Sequence, residues 1–387
     1  MKKKTIIAIS ALALCALAVS CKKTDVNAKS DTLIETAEKN EAANQLIEAD
    51  ADIEAQDDDG MTALMFAAEK NDVDEARRLI ESGEDVNAQD KRSKTALIHA
   101  AEKNAMDTAR LLITAKADLN IKDKDGRTAL MHTMLHRFDE TDMAELLIKA
   151  GADVNAGNQR GETALMFAAL KNASGVAKSL IEAGVDVNAT NNNGDTALMW
   201  VAFENAADVA RLLLAANADV NAKEVYSVTA LMLAAYHNAP DVAKLLINAG
   251  ADIRARNRFG GWNALVYAAY HNSPDVAKVL IEAGADVNAK DDEGKTALMW
   301  AARSHSVDAA ELLIEVGADV NAKNGFGWTA LMEAALENGV DMAKLLIKAG
   351  ADVNAKDKDG RTALMIAEQH DYAADVAALL KAAGVKE

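Results

Sequence analysis

The chain has 387 residues, and its 60 acidic and 42 basic side chains leave a formal net charge of −18 at pH 7. Half of the residues are apolar, which argues against intrinsic disorder, and the two Pro and two Cys exclude a collagen or a disulfide scaffold. The acidic balance argues against duplex nucleic acid as a partner, because phosphate binding needs a basic surface. Only 4% of the residues are aromatic.

The N-terminus has the pattern of an export signal. Three lysines at positions 2–4 precede an uncharged apolar run over residues 5–20, which is shorter than the ~20 residues of a membrane-spanning helix. Its end, Leu17-Ala18-Val19-Ser20-Cys21, resembles the lipobox of bacterial lipoproteins. This resemblance implies that residues 1–20 are removed, that Cys21 is lipidated, and that residues 21–31 form a membrane tether. An ordinary cleaved signal with a chance cysteine is the alternative.

The cysteine count favours the lipid anchor. Cys15 lies within the signal, so Cys21 is the only thiol of the mature chain, and acylation removes a reactive group that an oxidising compartment would expose. Lys22 and Lys23 stand where an inner-membrane retention signal often has Asp. We therefore expect a lipid-anchored protein of the bacterial cell envelope, at the outer membrane more than the inner.

One unit repeats along the rest of the chain. The triplet Thr-Ala-Leu recurs at intervals of 33 to 35 residues. It begins at Thr62, Thr95, Thr128, Thr163, Thr196, Thr229, Thr296, Thr329 and Thr362, and Asn263-Ala264-Leu265 fills the one gap. A typical unit reads DKDGRTALM, then an Ala pair, then DVAKLLI and AGADVNAK, which resembles the ankyrin repeat.

The resemblance implies an all-α repeat solenoid of helix-turn-helix units joined by hairpin loops. It covers residues 32–386 as about eleven units, of which residues 32–56 and 357–386 are the terminal caps. Gly is expected to supply positive φ after the second helix and in the hairpin, with Asn217, Lys116, Ser93 and Ser227 as replacements. Met follows Thr-Ala-Leu in most units, where we expect it to fill the core.

No motif for phosphate, dinucleotide, zinc or nucleophilic chemistry is present, so neither catalysis nor a cofactor is expected. His99, His132 and His136 fall at equivalent or i, i+4 positions and offer a metal site as the alternative. Exposed polar side chains without a ligand are the simpler interpretation of these histidines.

Aromatic side chains concentrate at a few positions of the unit. In the family, the first helices and the hairpin tips line the concave groove, and thirteen of the fifteen aromatics fall at such positions. Phe66 is the first of them. The other twelve, with two adjacent histidines, are the predicted partner-binding residues: Phe167, Trp200, Phe203, Tyr226, Tyr236, His237, Phe259, Trp262, Tyr267, Tyr270, His271, Trp300, Phe326 and Trp328.

Aromatic side chains supply a large contact area and lose little conformational entropy on binding, so they are typical anchors of protein interfaces. The sequence therefore predicts a membrane-tethered module that binds a protein or peptide in its groove. Packing between neighbouring units is the competing interpretation of the helix aromatics. A small-molecule or metal sensor and a structural spacer in the envelope are the alternative functions.

Overall fold

The computed structural model describes residues 56–135, 141–370 and 373–384. Within these ranges the chain forms ten pairs of α-helices, and its only β-pairing is two isolated bridges. The first helices of the pairs are α1 (Ala63–Lys70), α3 (Ala96–Glu102), α5 (Ala129–His132), α7 (Ala164–Leu170), α9 (Ala197–Trp200), α11 (Ala230–Tyr236), α13 (Ala264–Tyr270), α15 (Ala297–Ser304), α17 (Ala330–Leu336) and α19 (Ala363–Glu368). The second helices are α2 (Val73–Glu81), α4 (Met106–Thr114), α6 (Thr141–Lys149), α8 (Ser174–Glu182), α10 (Ala207–Ala215), α12 (Pro240–Asn248), α14 (Pro274–Glu282), α16 (Val307–Glu315), α18 (Val340–Lys348) and α20 (Ala374–Ala382).

The repeated Thr caps the first helix. Except at Thr128, its hydroxyl accepts a hydrogen bond from the backbone N–H three residues later, as in Thr196 with Met199 at 3.4 Å, and so satisfies one of the free donors at the helix start. Asn263, which replaces Thr in one unit, makes the same bond to Val266 at 3.0 Å. The requirement for this cap explains why Thr or Asn begins the triplet.

The core runs through the whole stack. First helices pack against the first helices of neighbouring units, and second helices pack against second helices. The Ala pair, the Leu of the triplet and the Met after it are buried in one continuous apolar cluster. The predicted all-α repeat solenoid is confirmed.

The methionines behave as predicted except at the C-terminal end. The Met after the triplet is at most 1% exposed in seven units, at Met65, Met131, Met166, Met199, Met232, Met299 and Met332. Met365 in the last unit is 42% exposed, because within the described residues no first helix follows α19 to pack on it. It is therefore a surface residue and not core filler.

Backbone hydrogen bonds join each hairpin to the next. The N–H of Lys91 donates to the carbonyl of Asp59 at 2.9 Å, and equivalent bonds continue to the last hairpin, where Lys358 donates to Phe326 at 3.0 Å. The Asn of the Asp-Val-Asn-Ala segment adds a second link, as in Asn188 Oδ1, which accepts the N–H of Asp219 at 2.7 Å. Neighbouring units are thus fixed in register at both loops.

The predicted positive-φ positions are confirmed. Lys116 and Asn217 have φ of 68° and 64° after the second helices, and Ser93 and Ser227 have φ of 59° and 63° in the hairpins. Elsewhere the same places are held by Gly, which adopts this conformation without a Cβ clash.

The proposed signal, the tether at 21–31, the cap at 32–56 except for Gln56, and His136 lie outside the described residues. In the part of the chain that is described, no helix is both long and apolar enough to cross a membrane.

Candidate functional site

One face of the stack carries most of the aromatic and the paired polar side chains. We define this groove face by the hairpins and by the residues two, five and six positions after the Leu of each triplet. The residue two positions after that Leu, such as His132 or Trp300, is the floor residue. Where it is His99, His132 or Trp300, it is tied to the residue that starts its own hairpin, nine positions earlier: Asp123 Oδ2 lies 2.8 Å from His132 Nε2, and Asp291 Oδ2 accepts the Trp300 indole N–H at 2.7 Å.

The hairpin-start residue also shapes the hairpin. The Oδ1 atom of Asp291 accepts the backbone N–H groups of Glu293 and Lys295 at 2.9 and 2.8 Å, which satisfies the turn. Its second oxygen is left for the floor residue. One carboxylate therefore closes the turn and orients a side chain of the groove face.

The N-terminal units form a polar segment. His99 lies with Nε2 3.0 Å from Asp90 and Nδ1 3.3 Å from Glu69, which belongs to the preceding unit. His132 lies with Nε2 against Asp123 and Nδ1 2.9 Å from Glu102 of the preceding unit. The two histidines are 4% and 2% exposed. The expectation that they are exposed polar side chains is wrong, because each is sandwiched between two carboxylates.

The flanking carboxylates determine how readily the two imidazole rings are protonated. Burial alone lowers the pKa of His99 and of His132, but the hydrogen bonds and charges of the two flanking carboxylates outweigh it and hold both pKa values above the usual value. This geometry does not support the alternative of a metal site at these histidines. No group of three His, Cys, Asp or Glu side chains within the described ranges is arranged to hold a metal ion.

Three carboxylates follow along the groove face and form what we call the acidic strip: Glu162, Asp195 and Glu224. Asn158 and Asn191 start their hairpins and donate their side-chain amides to Glu162 and Asp195 at 2.7 and 2.9 Å. Glu224 starts its own hairpin and accepts two backbone N–H groups at 2.9 and 2.8 Å. Glu162 and Asp195 are 5% and 4% exposed, and Glu224 is half-buried.

The C-terminal units form an aromatic segment, from Phe203 to Trp328, whose rings contact one another across unit boundaries. Tyr236 lies 3.9 Å from His271 between ring centroids, and Phe203 lies 4.4 Å from His237. At the hairpin tips, Tyr226 and Phe259 lie 4.8 Å apart. The ring contacts on the first helices link four consecutive units, from Phe203 to Trp300.

Burial separates the predicted partner-binding residues into three sets. Tyr226, Phe259 and Phe326 at the hairpin tips are 36%, 42% and 62% exposed. The half-buried set is Phe203, Tyr236, His237, Tyr267, Tyr270, His271, Trp300 and Trp328. Phe167, Trp200 and Trp262 are only 4%, 4% and 5% exposed, so the prediction that they contact a partner directly is wrong.

The buried rings have identifiable packing roles. Phe167 and Trp200 pack edge to face between adjacent units at 5.9 Å. Trp262 was expected at an exposed tip, but its hairpin has one extra residue at Gly260 and Gly261, both with positive φ. The longer turn directs the indole inward, 4.4 Å from Trp300 and 5.2 Å from Tyr270.

The two histidines of the aromatic segment differ from those of the polar segment. Burial lowers the pKa of His237 and of His271 to about 4, and no carboxylate offsets it. Both rings are therefore neutral near pH 7 and act as apolar surface with one donor each. Neither histidine therefore adds charge to this half of the groove face, whose charges come from other residues, such as Lys295 at 4.3 Å from the centroid of the Trp300 ring.

The comparison with protein families agrees with this repeated architecture. The family model described as Ankyrin repeats (3 copies) matches residues 33–123, 106–191, 173–257, 231–324 and 317–386. The chain belongs to the ankyrin repeat family. Ankyrin repeats generally mediate protein–protein interaction, and the family is typically non-enzymatic. None of the curated proteins compared with this chain matches it.

Sequence reasoning missed the acidic strip and a cleft at the C-terminal end of this ankyrin array. The cleft has a volume of about 430 Å³ and is lined by Arg303, Phe326, Trp328, Glu333 and Arg361, among others. Glu333 is 1% exposed and lies 2.8 Å from Arg303. The place of each of these residues in its unit could be identified from the sequence. Their pairing could not, because it joins neighbouring units and no pattern within one repeat indicates it.

Proposed function

We infer that this ankyrin array binds a protein or peptide on its groove face and performs no chemistry. The observation that carries this proposal is the aromatic segment, in which eight half-buried rings lie beside three exposed rings of adjacent or nearby hairpins. Rings that keep one face accessible while their neighbours fix their orientation are pre-organised anchors. Their accessible surface is what an apolar partner segment would cover.

The partner is expected to meet the exposed tips first. Phe326 is the most exposed of the large apolar side chains in the described residues, at 62%, and it lines the C-terminal cleft with Trp328. Tyr226 and Phe259 form a second contact at their paired tips. The half-buried rings between these two places would then be covered by the same segment.

Site-specific photocrosslinking tests this function. Benzoylphenylalanine is placed at Tyr226, Tyr270 or Phe326 of the full chain, with Lys244 and Lys278 on the second helices as matched exposed controls. We expect one partner to crosslink from the groove positions and not from the controls. Equal crosslinking from both faces, or none from either, contradicts the proposal and favours a structural spacer.

We also propose that Cys21 carries the lipid and tethers the array to the envelope, at the outer membrane more than the inner. The support is the lipobox-like end of the apolar run and the absence of any other cysteine after it. Incorporation of labelled palmitate into the wild-type chain and its loss in Cys21→Ala test the anchor. Membrane fractionation of the same two proteins tests the location.

A further inference from the structure

The C-terminal cleft combines an accessible ring with buried polar side chains. Phe326 in its lining is 62% exposed, whereas Asn324, Lys295 and Glu333 are 8%, 6% and 1% exposed. A cleft of about 430 Å³ has the size of a ligand site. Which ligand it fits depends on the hydrogen-bonding groups of the lining that the array itself leaves unused.

The three carboxylates that line the cleft are each paired with a cation that also lines it. Glu333 lies 3.2 Å from Lys295, Glu293 lies 3.4 Å from the same ammonium, and Asp359 lies 3.1 Å from Arg361. Oε1 of Glu333 accepts no hydrogen bond, but the Lys295 ammonium beside it compensates its charge. The cleft therefore has no carboxylate that needs a cation from a ligand.

The side-chain amide of Asn324 has no acceptor among the described residues. Its Oδ1 closes the hairpin, so the amide nitrogen is left for the floor residue, as in Asn257, whose amide donates to Tyr267 at 2.9 Å. The floor residue after Asn324 is Glu333, which instead lies 2.8 Å from Arg303 of the preceding unit. The pairing between units thus leaves the amide donor unused.

Two further donors of the cleft lack an acceptor within the described ranges. The indole N–H of the half-buried Trp328 forms no hydrogen bond there, whereas the indole N–H of Trp300 donates to Asp291 at 2.7 Å. The ammonium of Lys358 is exposed and pairs with no described carboxylate. The cleft therefore offers three unused donors, one of them charged, and a ligand has to supply the acceptor.

A carboxylate is the acceptor that fits these donors. Hydrogen bonds to an ionised oxygen are about twice as strong as neutral ones, and the exposed ring of Phe326 adds a place for an apolar neighbour. The net charge of −18 repels a run of acidic residues, so a single carboxylate among apolar residues is favoured. Because the aromatic segment continues along the groove face from the cleft, we expect the carboxylate on a side chain within the partner segment.

We propose that the C-terminal cleft binds the side-chain carboxylate of an Asp or Glu that has an aromatic or aliphatic neighbour in the partner segment. The carboxylate accepts hydrogen bonds from the amide of Asn324, the indole of Trp328 and the ammonium of Lys358. The apolar neighbour lies on Phe326. This proposal rests on the groove face being the binding surface and adds the chemistry that is recognised at one end of it.

Binding of designed peptides to the full chain tests the proposal by fluorescence anisotropy. The Glu peptide is fluorescein-labelled Ser-Leu-Phe-Glu-Leu-Phe-Ser with an amidated C-terminus. The Gln peptide has Gln in place of Glu and is otherwise identical. A third peptide, Ser-Leu-Phe-Gln-Leu-Phe with a free C-terminal carboxylate, distinguishes a terminal from a side-chain carboxylate.

The cleft variant combines Asn324→Asp with Lys358→Gln. Asp starts other hairpins of the array, such as that of Asp291, so Asn324→Asp keeps the oxygen that closes the turn and removes only the amide donor. The control variant combines Asn248→Asp with Lys348→Gln, which makes the same change of charge at exposed positions on second helices.

We expect the Glu peptide to bind the wild-type chain at least about tenfold more tightly than the Gln peptide. The net negative charge of the chain opposes this preference, so the preference reports the cleft and not the overall field. The cleft variant should bind the Glu peptide about tenfold more weakly, Trp328→Phe about fivefold more weakly, and the control variant within about twofold of wild type.

Circular dichroism checks that all variants remain folded. If the cleft variant does not fold, Lys358→Gln alone replaces it, because the exposed ammonium pairs with no described carboxylate. The proposal is overturned by no binding of the Glu peptide, by equal binding of the Glu and Gln peptides, or by equal loss in the cleft and control variants.

Tighter binding of the third peptide than of the Glu peptide also overturns the proposal, because a chain terminus would then be the ligand. The proposed function has its own outcome. If crosslinks from Phe326 capture a partner whose contact segment contains neither Asp nor Glu, the partner chemistry is wrong and the groove face remains the binding surface.

Discussion

The indole N–H of Trp300 donates a hydrogen bond of 2.7 Å to Oδ2 of Asp291, nine residues earlier in the same unit. The same spacing joins His99 to Asp90 at 3.0 Å. In both cases the other carboxylate oxygen closes the hairpin, so the residue that starts the hairpin also selects the orientation of the floor residue. A change at the hairpin start should therefore alter the orientation of the floor residue without replacing that residue.

A double-mutant cycle can measure how much the hydrogen bond between Trp300 and Asp291 contributes to stability. Trp300→Phe removes the donor, and Asp291→Asn can place an amide donor opposite the indole N–H. We expect each single variant to lower the free energy of unfolding by about 1–2 kcal/mol, and the double variant to lose less than the sum. Urea denaturation followed by circular dichroism gives the three values. Strict additivity would mean that the hydrogen bond contributes nothing to stability.

The buried histidines of the polar segment predict a pH-dependent stability. The flanking carboxylates raise the folded-state pKa of His132 despite burial, so the stabilisation is complete below the unfolded pKa of ~6.5 and is lost as pH rises through the folded-state value. His132→Gln should therefore cost more at pH 6 than at pH 9, by up to about 2 kcal/mol. Urea midpoints of both proteins at the two pH values test this.

His271→Gln is the control for that experiment. The pKa of His271 is lowered to about 4 by burial, so this ring does not titrate between pH 6 and 9. Its replacement should have the same effect on stability at both values. An equal cost of His132→Gln at pH 6 and pH 9 would contradict the assignment of a charged His132.

Met332 and Met365 occupy the same position of the repeat, and a comparison of the two tests the effect of burial at the end of the array. Met332 is fully buried, and Met365, at the same position of the last unit, is 42% exposed. We expect Met332→Ala to cost about 2–5 kcal/mol of unfolding free energy through lost burial and a cavity, and Met365→Ala to cost less than about 1 kcal/mol. Chemical denaturation checks both. Similar costs would indicate that Met365 is covered by a further contact in solution.

Arg254 interrupts the row of asparagines that links the Asp-Val-Asn-Ala segments. Asn221 accepts the N–H of Asp252 at 2.8 Å, and Asn288 accepts that of Asp319 at 2.8 Å, whereas a guanidinium has no acceptor. Arg254→Asn should therefore raise the free energy of unfolding by about 0.5–1 kcal/mol.

Arg254→Ala removes the guanidinium without supplying an acceptor and is the control for the gain. It should stay within about 0.5 kcal/mol of wild type. Thermal unfolding of the wild-type, Arg254→Asn and Arg254→Ala proteins ranks their stabilities. A stabilisation of the same size by Ala would show that removal of Arg, and not the new hydrogen bond, is responsible.

The repeat could be predicted almost completely from local patterns. The period of the unit and the positive φ at Lys116 and Ser93 are confirmed. Each of these features depends on residues within one unit, where backbone sterics and helix capping act over three or four positions. The buried methionines are predicted for the same reason.

The groove face could be located from the sequence, but its accessible residues could not. Trp262 and Trp328 both stand directly before the capping residue of a first helix, yet Trp262 is 5% exposed and Trp328 is half-buried. The extra residue at Gly260 and Gly261 turns the first indole inward. That outcome depends on the space between neighbouring rings, which the position of a residue in the repeat does not report.

The charges of the groove face were likewise settled by contacts between units. His99 meets Glu69 thirty positions away, and Glu333 meets Arg303 of the preceding unit. Local sequence thus specifies the unit, its turns and its core, because those depend on short-range geometry. Burial, protonation and the unpaired state of Asp195 arise only when the units stack, because electrostatic and packing energies depend on which side chains the stack brings together.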